Sequence, residues 1–166
     1  EYEGAIWTAT VTLPPMFREQ AVEWQTFFMQ LHGTKGTFLM GDPDAGSPRG
    51  TINNTIAVNG AHSIGAYDIT IDGADTGETI FEKGDYVQFN SGATSQLHMI
   101  VEDIASDGSG NATLKVEPTL KVALSNDATI SYTNPKGVFR MTSNELGWSA
   151  DRISTYGISF SCIQAL

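Results

Sequence analysis

One cysteine, three histidines and nine basic residues are all this chain offers for the commonest kinds of active site and of charged binding surface. Cys162, alone, cannot form an intrachain disulfide, and its apolar surroundings read it as a small buried side chain. No stretch of some 18 apolar residues exists, which excludes a membrane-spanning helix. The basic residues Arg18, Lys35, Arg49, Lys83, Lys115, Lys121, Lys136, Arg140 and Arg152 are scattered along the chain. Against nineteen acidic residues they leave a net charge of −10. Specific nucleic-acid binding needs clustered Lys and Arg on phosphates, and an anionic membrane needs a polybasic patch; neither pattern is present. The acidic balance by itself implies solubility.

The usual catalytic spacings are missing too. His32, His62 and His98 have no close His, Cys or carboxylate at metal-ligand spacing. There is no Gly-x-Ser-x-Gly elbow and no phosphate loop ending in Gly-Lys-Ser/Thr. Asp42 with Asp44, and Asp72 with Asp75, are carboxylate pairs open to a cation. The segment from Asp107 resembles a calcium loop only at its start, since the sixth position is Ala112 where glycine is required and the twelfth is Pro118 where glutamate is required. It reads instead as a hairpin loop. The expectation is a protein without catalytic residues, cofactor or metal.

What the chain has is glycine, seventeen of them, and short alternating runs typical of β structure. Residues 6–13 place Trp7, Ala9, Val11 and Leu13 on one face and Thr8, Thr10 and Thr12 on the other. Pro14 and Pro15 end that strand. Residues 16–32 form the one helical pattern, with Phe17, Ala21, Trp24, Phe28 and Leu31 on one stripe. Gly33 sits at the C′ position behind it. Phe27 and Met29 lie off the stripe and are candidates for a second, intermolecular contact as well as for the core. Residues 36–40 read as a strand, followed by the Gly- and Pro-rich loop 41–50. From residue 52 to 133 only short strands and turns follow: 55–58, 67–71, 86–89, 97–104, 112–117 and 128–132. Strands at 138–141 and 156–162 complete the chain. The last alternates Tyr156, Ile158, Phe160 and Cys162 against Gly157, Ser159 and Ser161. Its small polar face matches the threonine face of the first strand, so the two are expected to share a sheet with the helix on the aromatic side. The fold class is therefore mainly β with one packed helix: a discontinuous core, 1–51 with 134–166, interrupted by a small antiparallel barrel-like or sandwich-like insertion, 52–133.

Several runs carry a resemblance. Residues 7–16 (WTATVTLPPM), 27–33 (FFMQLHG), 36–43 (GTFLMGDP), 47–50 (SPRG), 83–88 (KGDYVQ), 107–114 (DGSGNATL), 134–140 (NPKGVFR) and 156–160 (YGISF) occur in the order in which similar runs occur in siphophage distal tail proteins. Together they cover most of the chain. The resemblance implies a tail-tube-like β-sandwich or split barrel as the core, with inserted modules facing outward. It implies a structural virion protein, assembled in the host bacterial cytoplasm, that forms a homo-oligomeric ring, typically a hexamer. Such a ring joins the tail tube protein to hub and tail-tip proteins, with DNA passing through its lumen. It also implies residues before the Trp7 strand beyond those present here.

A ring subunit buries side surfaces on two neighbours through heterologous contacts. Phe27, Met29, the loop residues Asp42, Asp44 and Arg49, and Lys136 of the 134–137 loop are the candidates for such an interface. The alternative is a binding module in which the insertion recognises carbohydrate or protein. Tyr67, Tyr86 and His98 would then face the ligand, with His98 expected at solvent or at an interface. A small envelope hydrolase is the weakest reading, because no nucleophile or metal set is visible.

Overall fold

A computed structural model describes residues 5–166. In chain order the elements are β1 (Thr8–Thr12), α1 (Arg18–Gln30), β2 (Thr37–Met40), β3 (Ala57–Val58), β4 (Asp68–Asp72), β5 (Thr79–Phe81) and β6 (Tyr86–Phe89). They continue as β7 (Gln96–Ile100), β8 (Ile104–Ala105), β9 (Ala112–Glu117), β10 (Ile130–Ser131), β11 (Gly137–Met141), β12 (Ser149–Ala150), β13 (Tyr156–Gly157) and β14 (Ser159–Gln164). The fold is mainly β, antiparallel in its pairings, with one α-helix and one nearly closed barrel-like sheet. Two compact units emerge: a barrel unit, 39–138, and a helix-and-sheet unit, 6–38 with 139–165. The cuts fall at 38/39 and 138/139, where the sequence pattern placed them at 51/52 and 133/134. Loop 41–50 goes with the barrel because its backbone is hydrogen-bonded there.

In the helix-and-sheet unit, β1 and β14 share a sheet as expected, and they pair antiparallel with Thr10 opposite Ser161 and Val11 opposite Phe160. The hydroxyl face is real: Thr10 and Ser161 are 3.1 Å apart, Thr12 and Ser159 3.3 Å. On the other face Phe160 lies 4.9 Å from Phe28 and 6.4 Å from Trp24, ring centre to ring centre. Helix α1 therefore packs where the aromatic alternation points. Ala21 has no exposed surface. The sheet runs β1-β14-β11-β2, so β1 and β2 are its edges.

The helix is shorter than its pattern. Met16 is still extended and exchanges two backbone hydrogen bonds with Tyr156, at 3.1 and 2.7 Å. Phe17 becomes the extended N-cap and stays exposed, so the buried stripe starts at Ala21. At the other end Leu31 is the C-cap, and His32 itself takes the left-handed C′ conformation, φ 53°. Gly33 is a second left-handed residue, where a Cβ would sit 2.1 Å from Asn144 Oδ1. The glycine is demanded by that close approach as much as by the helix end.

The barrel sheet runs β10-β6-β7-β9-β4-β3. A bridge between Ala57 and Thr129 brings its last strand back to its first. Val58 N–H donates to Ala128 C=O at 3.3 Å, and Asp127 N–H donates to Val58 C=O at 2.8 Å, which completes the seam. Strand alternation sends Val58, Ile69, Ile71, Val87, Phe89, Ile100, Leu114 and Val116 inward, all without exposed surface. The strand expected over 97–104 breaks after Ile100, because Asp103 turns to accept the Lys83 N–H at 2.9 Å. The short strands β5, β8 and β12 fall below the length at which alternation is readable.

His98 corrects an expectation: it is fully buried inside the barrel. It pairs across β6 with Val87, so both point inward, while their neighbours Tyr86 and Met99 point out. The physical reason is segment 118–124, whose Leu120 and Leu124 are core residues and whose backbone needs partners. Gln96 Oε1 accepts the N–H groups of Lys121 and Val122 at 2.9 and 3.1 Å, and Gln96 Nε2 donates to Val122 C=O at 2.8 Å. His98 Nδ1 lies 2.6 Å from Pro118 C=O, which can only accept, so Nδ1 carries the proton. Among the described residues its Nε2 has no hydrogen-bond partner, and the ring lies tilted against Phe89, 5.3 Å centre to centre.

Burial, against the weaker opposing effect of the Pro118 hydrogen bond and aided by the nearby Lys121 charge, lowers the His98 pKa to about 4. The unfolded value is about 6.5, so the unfolded chain takes up the proton first as pH falls. The contribution is complete above pH 6.5 and is lost by about pH 4, about 3 kcal/mol in all. Urea denaturation of wild type and His98→Gln across this window is expected to show that the variant lacks this part of the pH slope; parallel slopes would refute the assignment.

Candidate functional site

Two places gather the residues singled out in the sequence. The first is on the barrel unit, where loops 41–50 and 134–137 meet. A Cβ on Gly41 would fall 2.0 Å from Pro135 C=O, and Asn134 N–H donates to Gly46 C=O at 2.8 Å. Lys136 is exposed, and its N–H donates to Gln88 Oε1 at 2.9 Å. Asp42 and Asp44 are both exposed, with Asp42 Oδ1 accepting the Asp44 N–H at 3.0 Å in a local turn. Tyr86, half-buried on the same strand as Gln88, has its phenol pKa raised by burial first and by the Asp42 carboxylate second. Asp42, Tyr86 and Lys136 thus share one neighbourhood.

Arg49 belongs to a structural hub at the base of that loop. Asp85, almost wholly buried, accepts the N–H groups of Arg49 at 3.0 Å, Gly50 at 3.3 Å and Glu82 at 2.9 Å, with Arg49 Nε at 3.3 Å. Arg49 Nη2 also donates to Lys83 C=O. Gly50 is required, since a Cβ there would meet Ile80 C=O at 2.1 Å. Replacing Asp85 with Ala strands three backbone donors, and unfolding free energy is expected to fall by about 2–4 kcal/mol. Arg49→Ala is expected to cost less than about 1 kcal/mol, because its guanidinium is largely solvated. Urea titration of the two variants ranks carboxylate against guanidinium.

The second place is a groove of about 420 Å³ in the helix-and-sheet unit. Its origin is a mismatch of lengths. Thr142 N–H pairs with Ser161 C=O at 3.1 Å, and Ser149 pairs with Gly157. Between these points six residues, 143–148, face only three, 158–160, so the longer segment bows out. Phe28 and Phe160 line the groove from the core side, Met29 from the helix, and Leu146 and Trp148 from the bowed segment. Met29 is 65% exposed and Trp148 62%. Ile158, Phe160 and Gln164 direct their backbone groups toward β1, as Leu13 N–H to Ile158 C=O and Gln164 N–H to Trp7 C=O show. Alternation therefore turns the Ser159 N–H and C=O toward the groove. An apolar slot beside an open strand edge suits an extended peptide segment.

The bowed segment is held at both ends. Asn144 Oδ1 accepts the Thr34 N–H at 2.8 Å, and Trp148 packs 5.7 Å from Tyr156. Beyond it, Asp151 accepts N–H groups from Ile153 at 3.0 Å and Thr155 at 2.8 Å, and its pKa is lowered, chiefly by the Thr155 hydroxyl. Asn144→Ala is expected to cost about 1 kcal/mol and to accelerate amide hydrogen exchange at Thr34.

Phe27, by contrast, is part of the aromatic core: it meets Trp24 edge-on at 6.3 Å and Phe38 at 5.7 Å. The residues expected to face a ligand do not converge. Tyr67 is 55% exposed, with Lys115 Nζ 5.9 Å from its ring centre and hydrogen-bonded to Asp68 at 2.6 Å. That bond, first among its causes, raises the Lys115 pKa. Tyr86 is half-buried, and His98 is enclosed. Among the described residues no three of His, Cys, Asp and Glu gather as metal ligands would. Asp107 turns its carboxylate to its own loop, and the N–H groups of Asn111 at 2.9 Å first and of Ser109 at 2.7 Å second lower its pKa. Trp148, Asn144, Asp85 and Gln96 escaped sequence reading. Trp148 carried the signal of a lone Trp in an aperiodic polar stretch, and Asp85 stood in the run 83–88 only as part of the resemblance.

No protein-family model matches this chain, and a search of curated proteins finds none similar to it.

Proposed function

We propose that this chain is a structural subunit, not an enzyme, that assembles into a ring at the distal end of a bacteriophage tail, between the tail tube and the hub or fibre proteins. The observation that carries the reading is the uncovered apolar surface of the helix-and-sheet unit. Met29 and Trp148 flank the groove, and Phe17 and Ile153 add further exposed apolar surface in the same unit. Large apolar side chains exposed around one groove mark an interaction surface. The edges of the four-stranded sheet support it as well. Residues 7 and 13 pair with β14, so Thr8, Thr10 and Thr12 direct their backbone groups away from it. An unpaired edge is a template for another chain. The ordered resemblance to distal tail proteins supplies the identity of the assembly, the typical count of six and the passage of DNA.

Light scattering with negative-stain microscopy tests this directly: closed rings are expected, and a chain that stays monomeric at high concentration, alone and with a tail-tube partner, removes the reading. Met29→Glu and Trp148→Glu are expected to weaken association at least about 30-fold each, with melting temperature nearly unchanged because both side chains are already exposed.

A second reading, a carbohydrate-binding barrel, rests on Tyr67, whose open ring stands beside the Lys115–Asp68 pair. Aromatic faces stack on sugars. Silence of the protein on an array of host polysaccharides would remove this reading, and binding lost in Tyr67→Ala would favour it.

A further inference from the structure

We propose that Asn59–Gly60 is a self-modifying site beside the seam of the barrel, converting with loss of ammonia to aspartate and isoaspartate, and that Asn126 restrains it. The chain contains a single Asn-Gly pair. In the reaction the Gly60 amide nitrogen attacks Asn59 Cγ, giving its proton to hydroxide. The new C–N bond closes a five-membered succinimide, and the Cγ–NH2 bond breaks as the leaving group takes a proton from water and departs as ammonia. Water then adds to either ring carbonyl. The products are an aspartate at position 59 or its isomer with the backbone routed through the side chain. No oxidant or reductant is involved.

The local geometry favours and opposes this step at once. Asn59 is exposed, and its side chain has no hydrogen bond to any described residue. Gly60 is left-handed, φ 87°, and has no side chain of its own to crowd the attacking nitrogen. The Asn59 N–H is fixed by Thr70 C=O at 2.9 Å. The Thr70 hydroxyl donates to Asn59 C=O at 2.5 Å, drawing electron density from the Asn59–Gly60 peptide and making its N–H more acidic. His62 Nε2, 3.0 Å from the same hydroxyl and 3.3 Å from the Thr70 nitrogen, accepts the Thr70 N–H.

Against these stands one bond. The Gly60 N–H donates to Asn126 Oδ1 at 2.7 Å, which occupies the proton that must leave. Asn126 is oriented for this by its own amide donating to Asp127 Oδ2 at 2.7 Å. The site adjoins Val58, whose N–H and C=O form the seam with Ala128 and Asp127. Conversion places a carboxylate close to Asp127, and the isomer adds a backbone carbon next to the seam, so seam amides lose protection once the site has reacted.

The experiment follows the intact chain in mildly alkaline buffer by peptide mass spectrometry, with isoaspartate detected by methyltransferase labelling. Slow conversion at Asn59 is expected in wild type. Asn126→Ala is expected to react about fivefold faster, the worth of one hydrogen bond to the reacting amide. Ile130→Val loosens the barrel next to the seam without touching the restraint, and its rate is expected to match wild type. Equal rates for wild type and Asn126→Ala overturn the proposal. So does Ile130→Val matching Asn126→Ala, which would assign the chemistry to barrel opening. An inert Asn59 in Asn126→Ala, when a short peptide of the same sequence reacts, overturns it too.

Discussion

The pairing of β1 with β14 is the constraint on which the helix-and-sheet unit depends. Thr10 and Ser161 touch although 151 positions separate them. Closing so long a loop costs entropy, but the cost grows only with the logarithm of length, and a folded barrel between the strands removes much of the free chain. Everything else in that unit hangs on β14. Its Phe160 is the floor on which Trp24 and Phe28 rest. Its opposite edge is where the chain on the other side runs out of register and opens the groove. Misplacing β14 by one residue would exchange the serine face for the aromatic one and leave α1 without a seat.

Inside the barrel unit, polar side chains set where irregular backbone goes. Gln96 and His98 stand on an inward-facing strand, yet each is spent on segment 118–124. Asp85 does the same for the base of loop 41–50 through three backbone donors. Buried polar groups are tolerated when their partners are present, and here the partners are main-chain groups that no strand could serve. His98 is the incomplete case, with one nitrogen satisfied and one without a partner among the described residues, and its burial makes it sensitive to acid.

Much of the fold was legible because alternation is a local signal. The Thr8–Thr12 and Ser159–Gln164 patterns announced their faces and their common sheet, and 112–117 was readable to the residue. Helix ends were less so: a periodic stripe cannot show that Met16 is held in a strand-like bridge. His98 was misread because Leu97 and Met99 look like the inward pair, whereas the barrel closes over His98 to serve the Pro118 carbonyl. The candidate interface residues divide in the same way. Met29 reaches the groove, Phe27 joins the aromatic core beside it, and a helical stripe alone does not distinguish the two. The groove itself was out of reach, since it arises from six residues set against three, a comparison that needs the register first.

Loop 41–50 and segment 134–137 lie against each other where the chain enters and leaves the barrel unit. Gly41 and Pro135 approach so closely that even a methyl group has no room between them. A module whose two ends touch presents a fixed, short span to the strands it interrupts, whatever its own length. To β2 and β11 the entire barrel is equivalent to a tight turn. Such a module is a cassette: its outer face is free to be remodelled, lengthened or exchanged for another while the sheet it interrupts keeps its register.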